Sequence, residues 1–184
     1  MKYLLTLLVL SISLVSCQEA EPRRPIKVRT GSFFKETIKR NKELLAQEEK
    51  QIKEIIARDT AHTYLSSSQG SWYYYEIKND SVIYTPKPDD LVTFTYNLVS
   101  FTNDTIYKSE EMGTIHYKVD KQNLFPGLRN SIKLLREGEK ATFLFPSSLA
   151  YGYHGDDKKI GTNIPVKSTI TLLKIEKQKD SIQN

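Results

Sequence analysis

The chain has 184 residues, 39% of them apolar and 27% charged, with eight Gly, seven Pro and a single Cys. Those proportions exclude a collagen-like, disulfide-stapled or multi-span membrane protein and leave room for one ordinary domain plus a tail or helix. Lys and Arg total 27 against 22 Asp and Glu, a formal charge of +5, but the cations are interleaved with acids. A nucleic-acid surface needs them gathered on one face, so no nucleic-acid partner is expected.

Lys2 precedes an apolar run from Tyr3 to Val15, too short and too rich in hydroxyls for the ~20 residues of a spanning helix. Residues 1–16 read as an export signal. The run closes on Leu14-Val15-Ser16-Cys17, which resembles the lipobox of bacterial lipoproteins: small residues admit the peptidase, and the Cys17 thiol receives the diacylglyceryl group. The expectation is a lipid-anchored protein of the cell envelope, on the periplasmic side of the inner or outer membrane. Acyl chains hold at ~0.8 kcal/mol per buried methylene. A lipidated Cys17 leaves no thiol for redox chemistry, a structural metal or nucleophilic attack.

Residues 17–32 carry Pro22, Pro25, Arg23, Arg24 and Gly31 with almost nothing apolar, the composition of a flexible tether. From 33 to 64 the chain lacks Pro and Gly and places Ile38, Leu45, Ile52, Ile55 and Ile56 at helical spacing, with Ser32 as cap. This narrow stripe serves to dock on the domain, to pair with a partner or another copy, or to space the domain from the membrane; the sequence leaves these open. Residues 65–178 then make a strand-rich domain, and 179–184 a tail.

Within the domain, Trp72 to Ile77 is aromatic and β-branched, Asn79-Asp80 supplies a turn, and Ser81 to Tyr84 returns, which predicts a hairpin. Leu91 to Val99 alternates with period two as a further strand. Ile106-Tyr107 and Thr114 to Val119 suggest two short strands. Phe125-Pro126-Gly127 opens a short helix with Leu128, Ile132 and Leu135 on its apolar face, ended by Gly138. Ala141 to Phe145 and Lys167 to Ile175 complete the strands. The fold class is α+β: a twisted antiparallel sheet curled over one short helix, preceded by a long N-terminal helix.

The usual catalytic constellations are absent from the sequence. His62, His116 and His154 have no metal-ligand spacing, and the adjacent carboxylates Asp156-Asp157 and Glu110-Glu111 read as solvated loop charges. Neither a metal nor another cofactor is implied. Any reaction has to proceed without a nucleophile.

Phe125-Pro126-Gly127, Gly138-Glu139-Lys140, the segment from Phe145 to Gly152 with its Ala150-Tyr151-Gly152, Ile164-Pro165 and the strand from Ser168 to Leu172 together resemble the FKBP-type peptidyl-prolyl cis-trans isomerases. The resemblance spans about Trp72 to Lys177. With its lipobox, Glu/Lys-rich helix and aromatic strand, the whole chain looks most like the gliding-motility-associated isomerase lipoproteins of that family. The resemblance implies a sheet wrapped on one helix with an apolar pocket between them. Catalytic roles would fall to Tyr151 through its hydroxyl, Phe125 through its N–H, and Tyr96. Ile106, Tyr107, Ile115, Leu124, Leu128, Ile164 and Leu172 would line the substrate site. Ile106-Tyr107 stands where the family usually has Phe-Asp, and Leu128 where it has a floor Trp, which implies a wider, less polar pocket. X–Pro segments of envelope proteins are the implied partners. A second reading from another class is a non-catalytic proline-binding or scaffolding lipoprotein of a motility or secretion complex.

Four Asp-Ser/Thr-apolar triplets, at Asp59-Thr60-Ala61, Asp80-Ser81-Val82, Asp104-Thr105-Ile106 and Asp180-Ser181-Ile182, look like the O-glycosylation triplets of some envelope systems. Asp-Ser/Thr pairs also favour turns and caps.

Overall fold

The computed structural model describes residues 30–178. The export signal, Cys17, the tether to residue 29, the tail and Ser181 lie outside the described residues, as does the side chain of Ser32. The chain divides into two compact units, Met1–Thr37 and Ile38–Asn184; of the first, only the helical residues from Thr30 are described.

Helix α1 covers Thr30–Arg58, starting three residues earlier than expected and stopping six earlier. It stops because Asp59 turns the chain: its carboxylate accepts from the Ala61 N–H and the Tyr64 hydroxyl and meets the His62 ring. These local bonds outcompete helix continuation. Eight strands follow among the described residues, β1 Leu65–Ser66, β2 Trp72–Ile77, β3 Leu91–Tyr96, β4 Leu98–Ser100, β5 Thr105–Tyr107, β6 Ile115–Lys118, β7 Lys140–Phe145 and β8 Val166–Glu176. Two helices, α2 Ser109–Met112 and α3 Pro126–Ile132, and a 3₁₀ turn at Ser147–Leu149 interrupt them.

The sheet runs β1-β2-β7-β8-β3-β6, with β4 bonded to β5 and β8, and every pairing is antiparallel. The expected hairpin does not form. Strand β2 pairs with β7 instead, and residues 81–84 run as an irregular loop in which Ile83 is 89% exposed. Asn79 explains the divergence: its N–H and side chain are held by Glu139 Oε1 and Glu137 O, steering the chain away from β2. The strand expected over 91–99 is broken at Asn97, whose Oδ1 takes the Thr169 N–H at 2.8 Å. That bond uses up a ladder position and splits the run into β3 and β4.

Period-two alternation holds on β3, where Val92, Phe94 and Tyr96 are buried, and on β8, where Val166, Ser168, Ile170 and Leu172 are buried. All of these but Ser168, with Phe143 and Phe145 of β7, pack on Leu128 and Ile132 of α3 in one core. Helix α3 ends at Ile132, ahead of Gly138, and Leu135 joins the core from a turn in which its N–H bonds Ile132 O. Strand β7 is buried on both faces because Leu144, outside that core, is also fully covered. Ile55 of α1 borders the same outer cleft as Leu144, Tyr64 and Tyr74, and Ile52 is fully buried. Helix α1 therefore docks on the domain, at least through its C-terminal half. Among the described residues no helix is long and apolar enough to cross a membrane.

Candidate active site

Three segments bring the aromatic side chains of Tyr96, Phe125 and Tyr151 together, the first within the core and the other two packed partly buried against it. Phe125 is the N-cap of α3, in extended backbone (φ −61°, ψ 148°), with Pro126 in the first turn. An N-cap amide lies outside the intrahelical ladder, so the helix itself makes no use of the Phe125 N–H. Gly127 is required next: a Cβ there would sit 2.7 Å from Phe145 Cδ1 and 2.8 Å from Leu149 O. Its absence lets the start of α3 press onto β7 and the 3₁₀ turn, setting the Phe125 ring 5.7 Å from that of Phe145, edge on. Tyr151 stacks at a tilt 5.2 Å from Phe125, and Tyr96 meets Phe125 at 6.3 Å. Such ring pairs are favourable beyond their buried area.

Tyr151 is delivered by a compact loop. Pro146 ends β7, and the Ser147 carbonyl accepts from both the Ala150 N–H (3.0 Å) and the Gly152 N–H (2.9 Å). Gly152, at φ +59°, makes the left-handed step that this closure needs. Burial pushes the Tyr151 hydroxyl well above the ordinary tyrosine range, reinforced by the neighbouring Tyr96, Asp156 and Tyr107. The group is therefore a neutral donor at any physiological pH. Burial raises Tyr96 as well.

The structure corrects the reading of Asp156 as a solvated charge. Its Oδ1 accepts from the Lys158 and Ile160 N–H groups at 3.0 and 2.7 Å, and its Oδ2 receives the Tyr107 hydroxyl at 2.5 Å. Burial alone would raise this carboxyl, but the Tyr107, Ile160 and Lys158 bonds outweigh it and hold it low. Lys159 closes the same latch, its ammonium 2.9 Å from Glu111 Oε1 and 4.5 Å from the Tyr107 ring centre. The loop after Gly152 thus brings a carboxylate back against Tyr107 of β5. Gly155 makes the return possible, since a Cβ there would lie 2.3 Å from Ile160 O. The sequence carried the signal only as a loop of unusual length, with no marker that Asp156 folds back to Tyr107.

Of the expected lining residues, Ile106, Tyr107, Ile115 and Leu124 are half-buried against the core, as Phe125 and Tyr151 are. Leu128 and Leu172 are wholly buried and underlie the site without surface of their own. Ile164 stands apart at 38% exposed. Thr60, Ser81 and Thr105 of the Asp-Ser/Thr triplets are exposed, yet Asp59 is engaged by His62 and Tyr64, and Asp104 by Thr102, as turns require.

A family model for FKBP-type peptidyl-prolyl cis-trans isomerases matches residues 84–173. The chain is 32% identical over 124 residues to the probable FKBP-type peptidyl-prolyl cis-trans isomerase FkpA of Neisseria meningitidis serogroup B, spanning 67% of this chain and 43% of that protein. Its fold is similar to the crystal structure of FkpA from Escherichia coli, with a TM-score of 0.58 and 21% identity over 96% of this chain and 82% of that one. A sheet wrapped on α3, with Tyr151 and Phe125 packed against the shared core, is an FKBP-like fold. Residues 84–173 carry the match to the FKBP-type peptidyl-prolyl cis-trans isomerase family, and the chain spans less than half the length of the curated relative that it matches.

Proposed function

We propose that the protein is a membrane-anchored prolyl isomerase that speeds cis-trans exchange of X–Pro bonds during folding of envelope proteins, those of the gliding-motility machinery included. The observation that carries this reading is the trio Tyr96, Phe125 and Tyr151 around an N-cap amide, a site whose chemistry needs no attack on the peptide. Rotation about an imide C–N bond meets a barrier of ~18–20 kcal/mol because resonance holds it planar. Twisting uncouples the nitrogen lone pair from the carbonyl and makes the group less polar, so an apolar aromatic surface favours the twisted form over the planar one. The Phe125 N–H and Tyr151 O–H hold the carbonyls that flank the rotating bond. A barrier lower by ~5–7 kcal/mol corresponds to ~10⁴–10⁵-fold acceleration.

Exchange of a Pro-containing peptide, followed with wild type and Tyr151→Phe, tests the chemistry. Acceleration by wild type that drops about five- to tenfold in the variant, the scale of one lost hydrogen bond, is the expected result. A wild type that binds the peptide without accelerating it makes the protein a scaffolding module. The lipid anchor on Cys17 predicts recovery of the native protein with membranes and release of Cys17→Ala. Ile38 and Leu45 of α1, 55% and 37% exposed, offer a contact for a partner or a second copy. Sedimentation of wild type against Ile38→Glu reads self-association directly.

A further inference from the structure

We propose that Glu48 of helix α1 is a positioning residue for the site: it holds the backbone turn that presents Tyr151, and so ties the N-terminal helix to the substrate pocket. Glu48 is 99 residues from Ser147 in sequence, yet its Oε2 accepts the Ser147 N–H at 2.9 Å in a buried contact. The side chain is only 4% exposed, and its other oxygen, Oε1, is buried with no hydrogen-bond partner among the described residues. A carboxylate buried with half its acceptors idle is a poor device for stability alone; an apolar residue of similar size packs there at less desolvation cost. Its placement asks for another explanation.

Ser147 supplies one. Its N–H goes to Glu48, while its carbonyl takes the Ala150 and Gly152 N–H groups on either side of Tyr151. The same turn backs onto α3 through Leu149 O, which leaves no room for a side chain at Gly127, two residues from the Phe125 amide. One short turn therefore fixes both groups that hold the substrate, and α1 grips that turn from outside the sheet. Moving it by an ångström shifts the Tyr151 hydroxyl relative to Phe125, and errors of that size weaken catalysis severalfold. Coupling of this kind is reciprocal: whatever engages α1 and displaces Glu48 alters peptide binding, and bound peptide alters α1 to the same degree.

The inference deepens the isomerase reading, and three variants of the full chain separate it from simple helix docking. Glu48→Gln keeps an acceptor oxygen for Ser147; Glu48→Leu keeps bulk and removes the acceptor; Ile52→Ala loosens the same helix without touching Ser147. Expected is a loss of about tenfold in kcat/KM for Glu48→Leu, with Glu48→Gln and Ile52→Ala within about twofold of wild type even though Ile52→Ala melts lower. Amide resonances of Ala150, Tyr151 and Gly152 should move in Glu48→Leu and stay in Ile52→Ala. That spectrum needs no turnover, so an inactive wild type sinks the isomerase reading while the positional claim is still decided. Unchanged amides in Glu48→Leu, wild-type kcat/KM in that variant, or an equal loss in Glu48→Gln or Ile52→Ala overturns the role of Glu48.

Discussion

Tyr107 and Asp156 show how one hydroxyl and one carboxylate reshape a site that the chain's own strand residues leave short of charge. The bond between them, backed by Lys159, holds the long loop against β5. Asp156→Asn keeps the turn through Oδ1 but replaces the acceptor facing Tyr107. It is expected to lower kcat/KM by about three- to tenfold, one hydrogen bond's worth. Tyr107→Phe should match it, and the double variant should add little, since both remove the same contact. A strictly additive cycle would separate the two residues. At this scale Tyr151 and Phe125 are legible in the sequence because Pro and Gly frame them locally. Asp156 and Glu48 are not, because their partners lie 49 and 99 residues away.

Among the elements, α3 depends most on a single atom's absence. Gly127→Ala puts a methyl against Leu149 O and the Phe145 ring, and a backbone carbonyl cannot swing aside as a side-chain tip does. We expect a destabilisation of about 1–3 kcal/mol, read as a melting point lower by several degrees, with peptide exchange slowed as Phe125 and the Tyr151 turn are forced apart. An unchanged melting point would mean that the turn yields freely. Strand β3 was readable from its alternation, and β7 and β8 from the runs Ala141 to Phe145 and Lys167 to Ile175. The pairing of β2 with β7, across more than sixty residues, was not: Asn79 sends the chain off before residues 81–84 return.

For the whole molecule, the buried Asp90 joins distant parts of the fold. Its oxygens accept the Tyr84 hydroxyl and the Lys87 and Gln178 N–H groups. Burial opposes the charge, but these bonds win and hold the carboxyl below its ordinary range, as other contacts do for Asp156, Glu76 and Glu111. A depressed folded-state value means stability that is present above an unfolded value of about 4 and is lost as pH falls through the folded one. The tyrosines shift the other way: burial pushes Tyr75 up to about 12 and raises Tyr96 and Tyr151. Their contribution is whole below about pH 10 and is lost above it. Denaturant midpoints should therefore be flat between about pH 5 and 9 and fall on both sides, with the acid arm shallower in Asp90→Asn. An acid arm unchanged in that variant would remove Asp90 from the account.

Sequence alone determined the class of fold and the succession of core strands and short helix, because periodicity and Pro-Gly framing act over a few neighbouring residues, and its motifs carried the resemblance to a family. Only the tertiary structure decided which strand β2 joins, that the loop carboxylate Asp156 returns to Tyr107, and that Glu48 grips the turn before Tyr151. Those contacts depend on where a curled sheet brings distant backbone together, and no local pattern of residue types encodes that meeting.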